Sequence, residues 1–135
     1  MRNRVAVTGI GCISPLGNNV SSSWEKCKNG ESGIDRITNF DPELYRCQIA
    51  GEIKNFQLPE IIPIKEAKKM DLFIKYSVGA AKEALEDSGL EITKDLEEDV
   101  GVSMGVGIGG LGCIEKYNSI LNERGPRKVS PFFIP

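Results

Sequence analysis

Val100-Gly101-Val102-Ser103-Met104-Gly105-Val106-Gly107-Ile108-Gly109-Gly110-Leu111 is the stretch that decides the fold. Its first five residues read as a short buried strand, and the glycines that follow permit a tight turn. Leu111, Ile114, Tyr117 and Leu121 then recur at helical spacing until Gly125-Pro126 stops the helix. A strand that enters a helix through such a turn is the building unit of an α/β protein. Working outward, Arg4-Val5-Ala6-Val7-Thr8-Gly9-Ile10-Gly11 reads as a second buried strand, with a loop after it at Pro15 and Gly17. Ser22 and Glu25 have capping-box spacing, Val20, Trp24 and Cys27 share a helical face, and Asn29-Gly30 ends that helix. Residues 32–45 are loop-like, with a turn at Asp41-Pro42. Cys47, Ile49, Gly51 and Ile53 alternate with Gln48, Ala50 and Glu52, the pattern of a half-buried strand. Lys65 to Ser88 reads as the longest helix, with Met70, Ile74, Val78, Ala81 and Leu85 on its apolar face and Gly89 at its C-cap. The acidic run Glu91–Asp99 reads as a solvated connection. Strands alternating with helices imply a mainly parallel sheet.

The whole chain has 135 residues, enough for one domain and too few for two. Hydrophobic residues make up 40% and charged residues 27%, the balance of a packed chain. Seventeen basic and 19 acidic side chains give a net charge of -2, against the basic surplus of a nucleic-acid binder. No apolar run approaches the ~20 residues that span a bilayer, and no apolar stretch follows the first charges as a secretory signal requires. The expected location is the cytoplasm. The sequence contains no histidine, so Ser-His-Asp, Cys-His and His-metal chemistry would have to come from another polypeptide. Cys12, Cys27, Cys47 and Cys113 are scattered, with no C-x-x-C pair. That spacing argues against a metal site or a disulfide framework and predicts four small buried hydrophobes in a reducing compartment.

Gly105, Gly107 and Gly110 satisfy G-x-G-x-x-G between a strand and a helix, the textual form of a dinucleotide fingerprint. The acidic residue that should follow ~20 positions later is absent, because that place is held by Arg127-Lys128-Val129-Ser130. Glycines that let backbone pass close to a neighbouring element account for the same pattern. The chain closes on Ser130-Pro131-Phe132-Phe133-Ile134-Pro135, an apolar ending with no polar tail. Left uncovered, it would be a sticky patch. The expectation is a fragment of a longer protein, or an end covered by a partner.

Taken together, these motifs resemble the β-ketoacyl-acyl-carrier-protein synthases of the dissociated fatty-acid pathway, the type II branch in particular. The resemblance runs in order through Val5–Gly11, Ser14-Pro15-Leu16-Gly17, Gly30-Glu31-Ser32-Gly33-Ile34 and Phe40-Asp41. It continues through Ile49–Ile53, Lys65–Asp71, Ala84–Leu90, Gly105–Leu111 and Gly125–Pro135. It implies a thiolase-like α/β fold of α-β-α layers, of which residues 1–135 are a partial first half, incomplete without the rest. The reaction it implies is a decarboxylating Claisen condensation between an acyl thioester and malonyl-carrier protein, in an enzyme that dimerises and needs no cofactor. The nucleophilic cysteine of a Thr-Ala-Cys motif and two histidines would come after Pro135, so no catalytic residue lies in this chain, which is expected to be inactive alone.

Two non-catalytic roles follow from the same resemblance. Gly107, Ile108 and Leu111 would line the acyl channel, with Ile108 limiting chain length, and Phe133 and Ile134 would close the neighbouring subunit's pocket. Lys65, Lys68 and Lys69 would open the long helix as a patch that steers a strongly acidic acyl carrier protein, with Arg127 and Lys128 added from the partner subunit. The alternatives are a non-catalytic dimer partner of the chain-length-factor kind and, more distantly, a Rossmann-type nucleotide binder. Companion strands are missing from such a half sheet, so the isolated piece is expected to be poorly stable or oligomeric.

Overall fold

A computed structural model describes residues 4–133. The elements run α1 (Val20–Lys28), β1 (Ile34–Arg36), β2 (Ile49–Gly51), α2 (Ile64–Ala67), α3 (Leu72–Ser88) and α4 (Leu111–Arg124), followed by a 3-10 turn over Pro126–Lys128. They fall into two compact units. The first comprises residues 1–57 and 78–100, and the second residues 58–77 and 101–135. The first turns of α3 thus belong to the second unit and its remainder to the first.

In the first unit, two carboxylates of α3 hold the segment that leads into α1. Glu83 Oε2 accepts the backbone N–H of Cys12 at 2.9 Å, and its Oε1 accepts that of Val20 at 2.8 Å. One turn on, Asp87 Oδ2 accepts the N–H of Ile10 at 2.9 Å. Val20 is the first residue of α1, so Glu83 satisfies an N–H that the helix itself leaves orphaned and places negative charge at its positive end. This approach demands glycine: a Cβ on Gly9 would overlap the Ala84 carbonyl oxygen, and one on Gly11 that of Ala80. The cap of α1 is Asn19, whose side chain accepts the Ser22 N–H at 2.8 Å. The expected Ser22–Glu25 box is therefore corrected, because Asn19 lies at the proper distance before the third helical residue. The packed face is corrected as well. Ser23 is the buried residue of α1, and its hydroxyl donates to the Gly17 carbonyl at 3.1 Å, while Trp24 is 60% exposed.

β1 and β2 pair antiparallel in the register Ile34–Gly51, Asp35–Ala50 and Arg36–Ile49. The sequence reading placed β1 in a loop and missed this partner. The faces of β2 also differ from expectation: Cys47, Ile49 and Gly51 are exposed and Gln48, Ala50 and Glu52 half-buried, while Ile53 is half-buried as expected. Hydrogen bonds explain the inversion. Gln48 accepts from the Arg36 guanidinium at 3.0 Å, and Glu52 accepts the backbone N–H groups of Thr38 and Asn39 and the Thr38 hydroxyl. These bonds tie the β1–β2 connection to β2. They also hold the Glu52 carboxyl below its ordinary value, with the Thr38 hydroxyl as the largest cause.

The expected strands over residues 4–11 and 100–104 have no ladder partner among the described residues, where β1 and β2 form the sheet. Val5 is 94% and Val102 84% exposed, surface that water penalises at roughly 25 cal/mol per Å². The single helix expected from Lys65 to Ser88 is divided into α2 and α3. Residues 68–71 form the turn between them, and at its end the Asp71 Oδ1 accepts the Leu72 N–H at 2.5 Å. Gly30 and Gly89 adopt positive φ directly after α1 and α3, as their C-terminal positions require. The cysteines depart from expectation: Cys27 and Cys47 are exposed, and Cys12 and Cys113 half-buried.

Glu83→Ala is expected to lower stability by about 1–3 kcal/mol, because two backbone N–H groups lose their acceptor; Glu83→Gln, which keeps one acceptor oxygen, should lose less in chemical denaturation. For Glu52 the folded carboxyl is depressed, so its contribution is present above the unfolded pKa and is lost as pH falls through the folded one. An acid titration followed by NMR should show the Thr38 and Asn39 amides moving with a midpoint below that of a free glutamate, and not moving in Glu52→Gln.

Candidate functional site

The residues singled out from the sequence cluster in the second unit, where α2, the start of α3, the glycine-rich turn, α4 and the segment through Phe133 meet. Ile62 and Ala67 are its buried apolar residues. Gly109 lets the turn pass close to the start of α3. A Cβ on Gly109 would stand 3.1 Å from the Phe73 ring, and one on Gly110 3.7 Å from Asp71 Oδ2. Gly110 has φ 76°, in the left-handed region that favours glycine, and leads directly into α4 with no side-chain cap. Gly105 and Gly107 have open space around them. Close approach thus explains Gly109 and the left-handed φ explains Gly110, while neither applies to Gly105 and Gly107.

Two neighbouring pockets are built from these parts. The first, of about 320 Å³, is mostly apolar and is lined by Phe73, Ile74, Ile114, Phe132 and Phe133 with the Gly109-Gly110 backbone. Phe133 is fixed by Tyr117, with ring centroids 4.9 Å apart at a tilt of 57°. Asp71 reaches the same wall, and its Oδ2 is buried without a hydrogen-bond partner. The second pocket, of about 310 Å³, is more polar and is lined by Lys68, Lys69, Lys116, Tyr117, Ser130 and Phe132, among others.

The expected acyl-channel residues separate on this geometry. Phe133 lines the apolar pocket. Ile108, 80% exposed, Leu111, also exposed, and Gly107 are not among its walls. Ile134 lies outside the described residues. Sequence reading did not assign Phe73, Ile74, Ile114 and Phe132 to the site: Ile74 and Ile114 were read as the packed faces of helices, Phe132 as part of the apolar ending, and Phe73 was not singled out.

The lysines are also rearranged. Lys65 sits on α2, Lys68 is its C-terminal cap, and Lys69 lies in the turn before α3. They therefore do not open the long helix, and no acidic or basic conflict arises in its first turn. Lys69 is partly neutralised: its ammonium lies 3.0 Å from Glu66 Oε1 and 4.6 Å from the centroid of the Phe132 ring. All three lysines are solvent-exposed. Arg127 and Lys128 form the exposed 3-10 turn after α4. Among the described residues no cluster of His, Cys, Asp or Glu could hold a metal ion, and no helix is long and apolar enough to cross a membrane.

Residues 2–135 match the family described as "Beta-ketoacyl synthase, N-terminal domain". The chain is 52% identical over 134 residues to "3-oxoacyl-[acyl-carrier-protein] synthase 2" of Vibrio harveyi, covering 99% of this chain and 32% of that protein. It is 46% identical over 132 residues to the protein of the same name from Staphylococcus aureus strain COL, again with 32% of that protein covered. The chain therefore spans about a third of the length of these relatives. Among solved structures, "The ishigamide ketosynthase/chain length factor" superimposes with a TM-score of 0.75 at 28% identity, over 98% of this chain and 33% of that one. A β-ketoacyl synthase from Burkholderia phymatum STM815 shares the fold, with a TM-score of 0.74 at 22% identity over 94% of this chain and 32% of that one. The fold is α/β and thiolase-like, here as a partial domain.

Gly110→Ala is expected to cost about 1–2 kcal/mol, the strain of a side chain in the left-handed region. Gly105→Ala, with open space around it, should stay within about 0.5 kcal/mol, and urea denaturation of the two variants separates them.

Proposed function

We propose, from the premise that this chain belongs to the β-ketoacyl synthase family, that it is the N-terminal third of a 3-oxoacyl-[acyl-carrier-protein] synthase that elongates fatty acids. The observation that carries this reading is the identity of 46–52% with proteins of that name across 98–99% of the chain. The whole enzyme is an acyltransferase. It takes an acyl group from its carrier as a thioester on a cysteine, and malonyl-carrier protein then loses carbon dioxide to form an enolate. The enolate attacks the thioester carbonyl, a carbon–carbon bond forms, and the cysteine sulfur leaves. The cysteine and its two histidines are contributed by polypeptide outside this chain, which has no histidine of its own.

What these residues supply is binding. Ile108 stands out from the glycine-rich turn and, with Gly107 and Leu111, lines the channel for the growing acyl chain, setting its length limit. Phe133 and Ile134 close the pocket of the neighbouring subunit in a homodimer, a use consistent with the apolar pocket that Phe133 already borders. The exposed Lys65, Lys68 and Lys69, joined by Arg127 and Lys128, receive the acyl carrier protein. This reading is supported by the distribution of charge. The second unit holds eight Lys and Arg against five Asp and Glu, whereas the first holds nine against fourteen. The small overall net charge therefore conceals a basic unit that contains every one of the five proposed docking cations. The enzyme works in the cytoplasm and needs no cofactor.

A second reading, a non-catalytic partner subunit, is favoured by the likeness to the ketosynthase/chain length factor structure. The two are told apart by the gene beyond codon 135. A continuing frame with a Thr-Ala-Cys motif and later histidines, whose product forms 3-oxoacyl thioester and carbon dioxide from acyl- and malonyl-carrier protein, supports the enzyme; a stop codon supports the partner. In either case Lys65→Glu combined with Lys68→Glu should weaken carrier binding about tenfold at low ionic strength, with the difference shrinking as salt is added. Unchanged affinity at low salt would remove the docking assignment.

A further inference from the structure

We propose that Lys116 of α4 is a docking residue for the acidic carrier protein and fixes the orientation in which the carrier sits. The inference rests on the carrier-docking reading above and extends it to an element that reading did not include. Lys116 lines the same 310 Å³ pocket as Lys68 and Lys69, so cations from α4 and from the end of α2 border one opening. Their charges are not equally available. The Lys69 ammonium is held by Glu66 at 3.0 Å and lies over the Phe132 ring. Lys68 and Lys116 have no carboxylate within ion-pairing distance among the described residues.

Sequence position explains why Lys116 is uncompensated. The residues three and four places away on its helix are Gly112, Cys113, Ser119 and Ile120, none of them acidic. Its ammonium instead lies 5.7 Å from the centroid of the Tyr117 ring. Asp71 is the single carboxylate on the pocket wall; its Oδ1 is engaged by the Leu72 N–H, and its Oδ2 is buried away from solvent. An acidic side chain arriving at this opening therefore meets two unpaired cations from separate elements. At this opening Lys68 alone would give the carrier a single uncompensated contact. A second contact on α4 defines a direction, which is what electrostatic complementarity at a rim contributes most strongly.

The test is titration of fluorescently labelled acyl carrier protein onto the protein and three variants: Lys116→Glu, Lys116→Met and Lys65→Glu/Lys68→Glu. Lys116→Glu should weaken binding about two- to fivefold at low salt and Lys116→Met less, both differences fading as salt rises. A carrier in which one acidic surface residue is changed to lysine should restore binding to Lys116→Glu and to no other variant. That rescue would not follow from damage to α4. If Lys116→Glu binds as the parent does while Lys65→Glu/Lys68→Glu is weakened, the role of Lys116 is overturned and the docking reading stands. If Lys116→Glu is weakened independently of salt and no charge-reversed carrier restores it, the role is overturned as a structural effect. If the carrier binds neither parent nor variants, or all alike, both readings fall together.

Discussion

The Glu83 carboxylate takes two backbone N–H groups at once, Cys12 on one oxygen and Val20 on the other. Much of the first unit depends on that arrangement. It ties α1 to α3, supplies an acceptor to a helix start, and brings residues 9–12 so close to α3 that only glycine fits at positions 9 and 11. Asp87 repeats the device one turn later. In place of a β-ladder, the amides of this segment are answered by the side chains of a helix. Backbone polar groups need partners wherever they are, and here α3 provides them.

The second unit is organised around a different demand. A turn over residues 68–71 separates the lysine-bearing α2 from the long helix, and Asp71 at its end accepts the Leu72 N–H. The division sets Lys68 and Lys69 in a turn, where they face α4 across one small opening. The Gly109-Gly110 backbone passes against Phe73 for the same steric reason that glycine serves elsewhere in the chain. An apolar pocket and a cationic pocket thus share the walls of Lys69, Asp71, Cys113 and Phe132.

Periodicity and punctuation made α1, α4 and the end of α3 legible in the sequence, down to the glycines that follow α1 and α3. Three features were hidden because each depends on local polar contacts that periodicity does not register. Asn19 takes the cap of α1 in place of Ser22, and a turn over residues 68–71 divides an otherwise continuous helical pattern. Gln48 and Glu52 are drawn in beside β2 by hydrogen bonds to Arg36 of β1 and to Thr38 and Asn39 after it. Composition was misleading in one further respect, since a net charge of -2 averages over an acidic unit and a basic one. Of the pocket walls, Phe133, Lys68 and Lys69 were named from the resemblance; Lys116 was not, because nothing in the helical pattern of α4 marks it.

The partial shielding of Cys12 has a practical corollary. Its amide is held by Glu83 and its sulfur lies 3.8 Å from the Ser23 hydroxyl, while Cys27 and Cys47 stand open to solvent. Alkylating reagents should therefore consume Cys27 and Cys47 first and the half-shielded Cys12 and Cys113 more slowly. For Cys12 the lag, read as a mass increment, reports how readily its segment loosens from α3.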